Sequence, residues 1–187
     1  MPPNQADKRT RLIHAATKSV YEQGFSRTTL ADIAGEAHVP LGNVYYYFKT
    51  KDALGEALIE QRADNLASLR TVWERNPDPR ERLLSFIAMT WGDRESLAKS
   101  GCPIGTLCSE LQKEGGPLAA ETARIFAELL AWLEAQFSEL GRGSEAHGLA
   151  VHLLSALQGV SLLAHSFSDP DIVVTETNRL EEWVRAL

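Results

Sequence analysis

Residues 28–51 read TTLADIAGEAHVPLGNVYYYFKTK, and the apolar residues of this stretch change direction twice within two dozen positions. Two short helices joined by a tight turn produce that pattern; one long helix does not. Thr29 and Asp32 stand in the Ser/Thr-x-x-Asp/Glu relation that closes a helix N-terminus, with Ile33, Ala34 and Ala37 following on one side. A first helix over about Thr29 to Ala37 follows. Pro40 lacks an amide hydrogen and its φ suits a first helical turn, so a second helix runs from Pro40 through Leu41 to about Tyr47, leaving His38 and Val39 as the turn.

On the second helix Val44 and Phe48 are four apart and point inward, while Gly42, Asn43 and Tyr46 lie on the opposite face. A glycine, an amide and a phenol together suit a helix whose first turn enters a nucleic-acid groove. Gly42 permits close backbone approach, Asn43 can bond a base edge, and Tyr46 can reach a phosphate. The plain competitor is a small helical bundle with a partly exposed aromatic face; the agreement of turn, helix start and outer face favours DNA.

The carrying residues extend on both sides: Ile13 and Ala16; Gly24-Phe25; Thr28-Thr29 with Asp32-Ile33-Ala34; Ala37 and Val39; Gly42 with Val44-Tyr45 and Tyr47-Phe48; Lys51 and Leu54. From about Arg9 to Gln61 this pattern resembles the DNA-binding domain of the tetracycline-repressor (TetR) family of bacterial transcription regulators. With the residues read above, the resemblance implies an operator-binding face of Thr28, Thr29, Leu41, Gly42, Asn43, Tyr45, Tyr46 and Lys51. Two positions depart from the family pattern. His38 stands where glycine is common, and histidine is among the few side chains that tolerate φ > 0 there. Pro40 and Leu41 stand where many members have serine and lysine, which removes a cap hydroxyl and one basic contact; Leu41 can instead touch a thymine methyl.

Charge is distributed unevenly. The chain has 187 residues and a formal net charge of −6. Residues 1–51 carry seven basic against four acidic side chains, a net +3, which leaves −9 for residues 52–187. DNA should therefore meet the N-terminal part alone. The Lys8, Arg9 and Arg11 cluster can touch phosphates or simply be solvated. No run of eighteen apolar residues occurs and no charged-then-apolar signal opens the chain, so a cytoplasmic, nucleoid-associated protein with no membrane partner is expected.

Taken in order, the first helix runs from about Ala6 to Gln23 and ends at Gly24, a left-handed cap over which Phe25 folds back. Thr50 caps a helix to about Arg75 with Lys51 at its first position, where the macrodipole disfavours a cation and a phosphate would reverse the sign. By resemblance this helix transmits movement between domains. Asp78 and Pro79 open another helix, with Leu83, Leu84, Ile87, Ala88 and Trp91 on its buried side. Ile104, Leu107, Cys108 and Leu111 repeat at helical spacing, so Cys108 faces inward, and Cys102 falls at or near the N-cap, where backbone amides favour a thiolate. Helices over about 117–140 and from Ser144 follow, with a last one from Asp169-Pro170 to Leu187. The β-branched Ile172-Val173-Val174 run weakens the first turn of that last helix.

The expected architecture is all-α, with about nine helices. Residues 1–50 form a three-helix helix-turn-helix domain that extends into the linking helix 51–75, and residues 51–187 form a helical ligand-binding and dimerisation domain. Gly148, Ser155, Ala156 and Gly159, with Trp183 and Val184, suggest a surface for a second subunit; the resemblance implies that the last two helices build a four-helix dimer interface. A small-molecule effector would lie among Met89, Trp91, Cys108, Leu111, Phe126, Leu130 and His152, apolar walls with a few polar tips.

The function that follows is a ligand-responsive repressor, released from a palindromic double-stranded operator by an effector and acting as a homodimer. The alternative is a thiol-based redox or electrophile sensor acting through Cys102. Buried cysteine is the structural competitor to that idea, and six helical residues separate the two sulfurs by about 9 Å of rise, too far for a bridge without unwinding. A helical enzyme with Cys102 as nucleophile needs a base, and His14, His38, His147, His152 and His165 are scattered. An interaction module without DNA is the remaining class. No catalytic, cofactor or metal site is expected, since the cysteines and histidines lack ligand spacing.

Overall fold

A computed structural model describes residues 5–187, with side chains from Lys8 onward. Ten helices follow one another among the described residues: α1 (Gln5–Gln23), α2 (Leu30–Glu36), α3 (Leu41–Tyr47), α4 (Lys51–Trp73), α5 (Pro79–Gly92), α6 (Arg94–Ser100), α7 (Gly105–Glu114), α8 (Pro117–Glu139), α9 (Ala146–Phe167) and α10 (Asp171–Ala186). The all-α architecture is as expected, with one helix more. α6 escapes the pattern because it is short and polar, and buries only Leu97 and Ala98. Two compact units result, one through Asp64 together with Thr106–Ala123, the other Asn65–Gly105 with Arg124–Leu187. α7 and the start of α8, assigned from sequence to the C-terminal part, thus cluster with the N-terminal unit.

In the first unit the row Leu12, Ala16 and Val20 of α1 is buried together with Ile13. Gly24 takes φ +88° and its amide bonds Val20 O at 2.9 Å, ending α1 and turning Phe25 into the core. Gly55 of α4 is a second glycine that geometry demands. A Cβ there would stand 2.9 Å from Leu118 Cδ1 and 3.0 Å from the Phe25 ring.

α2 ends in a Schellman turn: His38 N–H bonds Gly35 O at 3.1 Å and Val39 N–H bonds Ala34 O at 3.0 Å. His38 occupies the left-handed region with φ 51°, as the departure from glycine required. Pro40, the expected first residue of α3, is its N-cap because its ψ of 139° is extended, so the helix starts one residue later, at Leu41.

The second unit is built around Trp73, Phe86 and Trp132, whose ring centroids are 5.5–6.3 Å apart. Trp132 Nε1–H donates to Glu74 at 2.8 Å, which satisfies its polar edge. Asp78 accepts from Arg80 N–H at 2.9 Å and Pro79 stands in the first turn of α5. Arg80 in turn donates to the carbonyls of Val184 and Arg185 at 2.8 and 2.9 Å, closing the C-terminal end of α10. α10 forms through its β-branched start because Val173 is fully buried, where packing outweighs propensity.

By length and composition α9 could cross a membrane, with hydropathy 1.3 over its most apolar window. Its row Ala150, Leu153, Leu157, Val160 and Ala164 is instead buried within the unit.

A left-handed non-glycine residue costs about 1–2 kcal/mol, of which glycine's extra chain entropy returns about 0.5–1 kcal/mol. His38→Gly should therefore raise the thermal midpoint by about 1–4 °C in a calorimetric scan, and a lower midpoint would show that the imidazole stabilises the turn.

Candidate nucleic-acid interface

Helix α2 is held at its start by a complete capping box. Thr29 Oγ1 accepts from Asp32 N–H at 3.1 Å, and the Asp32 carboxylate accepts from Thr29 N–H at 2.9 Å and from its hydroxyl at 2.7 Å. These bonds, the Thr29 hydroxyl first and its amide second, hold the exposed Asp32 carboxyl below its ordinary range.

Beyond the turn, α3 buries Val44 and Phe48, and the 100° step per residue turns the remaining side chains outward. Leu41 and Gly42 are exposed, Tyr45 and Tyr46 are 49% and 63% exposed, and Asn43 is half-buried. No atom lies within 4 Å of where a Gly42 Cβ would be, so the helix surface is open at that position. The Tyr46 ring stands edge-on to that of Tyr47, with centroids 5.0 Å apart. Arg9 of α1 lies 5.6 Å over the Phe48 ring, a cation the sequence left generic.

Two of the expected contact residues are turned elsewhere. Thr28 is 1% exposed: its hydroxyl donates to Gly24 O at 2.7 Å and accepts from Gln23 Nε2 at 3.3 Å, so it ties the α1–α2 loop and does not face a duplex. Lys51 is the first residue of α4, behind the Thr50 hydroxyl that accepts Ala53 N–H at 3.1 Å. Its ammonium is engaged, donating to Ser26 O at 3.0 Å and lying 4.7 Å over the Phe25 ring.

The same loop meets α7. Glu110 accepts the backbone N–H groups of Phe25 at 2.8 Å and Ser26 at 2.7 Å, one on each carboxylate oxygen, and the Ser26 hydroxyl donates to Glu114. Sequence reading missed this pair, since nothing local marks an acceptor 85 positions from its donor. Between α1 and α2 lies an open cleft of about 570 Å³, walled by Arg11, His14, Lys18, Glu36 and His38. An exposed Lys18–Glu36 ion pair of 2.7 Å crosses it, which occupies the lysine.

The residues expected around an effector separate into two groups. Cys108, half-buried, and Leu111, buried, are on α7 in the first unit, while Met89, Phe126 and Leu130 are half-buried in the second. Trp91 and His152 do not line an interior: Trp91 is 44% exposed beneath the Arg94 guanidinium, 4.5 Å from its ring, and His152 is exposed, its ring T-shaped to that of Trp183 with centroids 5.0 Å apart. Cys102 is half-buried against Leu97, Ala98, Val160, Ala164 and Val173, and its Sγ accepts Gly105 N–H at 3.3 Å at the start of α7. No group of three or more potential metal ligands gathers among the described residues.

Of the residues expected at a subunit surface, Gly148 and Ser155 are exposed and Gly159 is half-buried on α9. They belong to one stripe with Val151, Leu162, Leu163 and Phe167, which are 39–69% exposed and follow at helical spacing. Val184 is fully buried and Trp183 is half-buried against Phe137 at 5.9 Å. The inward row Val173, Thr177, Leu180 and Val184 packs within the subunit, so Val184 is withdrawn from the expected interface.

Comparison with known proteins agrees with this geometry. The profile of "Bacterial regulatory proteins, tetR family" matches residues 12–58. The chain is 30% identical over 158 residues to the transcriptional regulator AcuR of Cereibacter sphaeroides, covering 83% of this chain and 69% of AcuR. It is 29% identical over 122 residues to the HTH-type transcriptional repressor DhaR of a Mycobacterium species, 64% of this chain and 60% of that repressor. Of several other curated regulators the chain spans about half the length. The crystal structure of a TetR-family regulator from Agrobacterium tumefaciens has the same fold, with a TM-score of 0.84 at 22% identity over 96% of this chain and 98% of that one. The family profile over the helix-turn-helix, with 30% identity to a regulator of which this chain covers 69%, shows that the chain belongs to the TetR family of bacterial regulatory proteins.

Proposed function

We propose that this chain is a homodimeric transcriptional repressor that binds a palindromic operator and leaves it when a small-molecule effector binds. The observation that carries the reading is the face of α3, where Gly42, Asn43, Tyr45 and Tyr46 turn outward while Val44 and Phe48 anchor the helix from behind. One seven-residue helix supplies little specific contact, so two copies set about one DNA turn apart are needed. The stripe of Gly148, Val151, Ser155, Gly159, Leu162, Leu163 and Phe167 on α9 supports that pairing: its small residues permit close approach and its large ones bury apolar area. Such a regulator works in the cytoplasm at the nucleoid, and no catalysis belongs to the reading.

The effector acts by linkage. If it binds better to a form whose two heads are wrongly spaced for the duplex, it lowers operator affinity by the same factor by which DNA lowers its own. Met89, Phe126 and Leu130, half-buried in the second unit, remain candidate wall residues. A thiol-driven version is favoured by one contact, the Gly105 N–H donated to Cys102 Sγ, because modification of the sulfur would break a bond at the start of α7.

Retention of genomic DNA fragments should be strong at low salt and fall about 10³–10⁵-fold between 50 and 200 mM salt, as expected for a dimer with roughly 6–10 phosphate contacts; no retention at low salt would end the reading. Asn43→Ala should cost about 5–150-fold in operator affinity and relax specificity at one position of each half-site, whereas Tyr46→Phe should weaken all sequences evenly. Thr28→Val should lower stability by about 1 kcal/mol and leave the affinity of the folded protein within about threefold. The double change Leu162→Lys with Phe167→Lys should give monomers in sedimentation velocity; persistent dimers would place the interface elsewhere. Cys102→Ser with unchanged release by quinones or aldehydes would end the thiol version.

A further inference from the structure

The loop Gly24-Phe25-Ser26 is gripped from two sides by charge. From α7, one residue supplies both acceptors: each oxygen of the Glu110 carboxylate takes one backbone N–H, from Phe25 at 2.8 Å and from Ser26 at 2.7 Å. From α4, the Lys51 ammonium takes the Ser26 carbonyl at 3.0 Å and covers the Phe25 ring. Glu114, one turn beyond Glu110, takes the Ser26 hydroxyl. Successive backbone N–H groups following a left-handed residue form a concave anion site, and Gly24 at φ +88° is that residue. A side chain at Gly24 would crowd the carboxylate, since its Cβ would stand 3.2 Å from both Glu110 oxygens.

What the loop holds explains why this grip matters for DNA. Phe25 O accepts Thr28 N–H at 3.1 Å and Gly24 O accepts the Thr28 hydroxyl at 2.7 Å, and the next residue, Thr29, caps α2. Through the Schellman turn at His38, α2 sets the start of α3. A shift of the loop therefore moves the reading helix. Burying α7 does not require the clasp: Leu107 and Leu111 already anchor that helix in the unit.

We propose that Glu110 is a positioning residue for operator binding: its carboxylate, bonded to the Phe25 and Ser26 amides, holds the loop that sets α2 and the start of α3. The inference rests on the repressor reading and names the side chain that fixes the loop ahead of the reading helix. Protonation is not the natural signal. Burial raises the Glu110 pKa, but the Ser26 hydroxyl and amide, the Phe25 amide and the Lys51 charge outweigh it and hold the carboxyl below its ordinary range. With a depressed folded-state pKa, the stabilisation is complete above the unfolded value of 4.5 and is lost only as pH falls through the folded one. At neutral pH the clasp stays ionised and intact.

The test uses the full-length dimer and its operator fragment. Glu110→Gln removes the charge and sets an NH2 group against one of the two backbone donors. Amide exchange at Phe25 and Ser26 should quicken at least about tenfold, and operator affinity should fall about 5–150-fold in protein that remains folded. A purely structural role would lower the thermal midpoint without altering the affinity of the folded fraction. Glu110→Asp keeps the charge with a shorter reach and serves if the glutamine variant fails to fold; an affinity between those of wild type and Gln is expected. Faster exchange with operator affinity within twofold of wild type, in either variant, overturns the proposal. If the wild-type chain retains no duplex at low salt, the repressor reading falls and this inference with it; if wild type binds and the folded variants bind equally, the clasp alone falls.

Discussion

The left-handed turn at His38 is the constraint on which the reading face depends. Two bonds close it, from His38 and Val39 back to Gly35 and Ala34, and Val39 is buried beneath it, so the chain leaves α2 in one direction only. From that start, burial of Val44 and Phe48 decides the rotation of α3. A slip of one residue would turn the helix by about 100° and drive Tyr45 or an amide into the core, which costs too much to be an alternative. The outward display of Gly42, Asn43 and Tyr46 is thus a consequence of what is buried behind them.

This part of the molecule was legible in the sequence because its signals are local. The capping box spans three residues, the proline and the turn adjoin, and the Gly24 cap needs only the helix before it. Spacing shows which side chains share a helix face, but it does not say what each face meets. Thr28 reads as a contact beside Thr29, yet its hydroxyl finds a carbonyl four residues back. Val184 reads as a surface beside Trp183, yet it lies on the row of α10 that is buried within the subunit. On α9 the small residues were legible, whereas the exposed Leu162, Leu163 and Phe167 that extend their stripe were hidden by an apolar composition all round the helix.

Long-range polar contacts were illegible for a different reason. Arg80 closing α10 and Glu110 closing the α1–α2 loop join groups 85 to 105 positions apart, and a surface arginine or glutamate has the same local appearance with or without such a partner. Trp91 and His152 illustrate the converse. Aromatic residues suggest a cavity wall, yet an arginine stacked on one and a tryptophan edge against the other use those faces at the surface.

The charge distribution follows the same logic of partners. For the proposed repressor, a net −9 on residues 52–187 would repel a duplex from most of the chain and leave non-specific attraction to the +3 segment that carries α3. Within that segment the ion pair at Lys18 and the carbonyl at Ser26 already occupy two of the ammonium groups. Phosphate contacts hold a duplex without reading its sequence, so in the proposed repressor discrimination would come from contacts that a wrong sequence cannot supply. The half-buried Asn43 amide, held at one rotation by the buried Val44 and Phe48, would be such a contact, and a movement of α2 or of the loop before it would forfeit it.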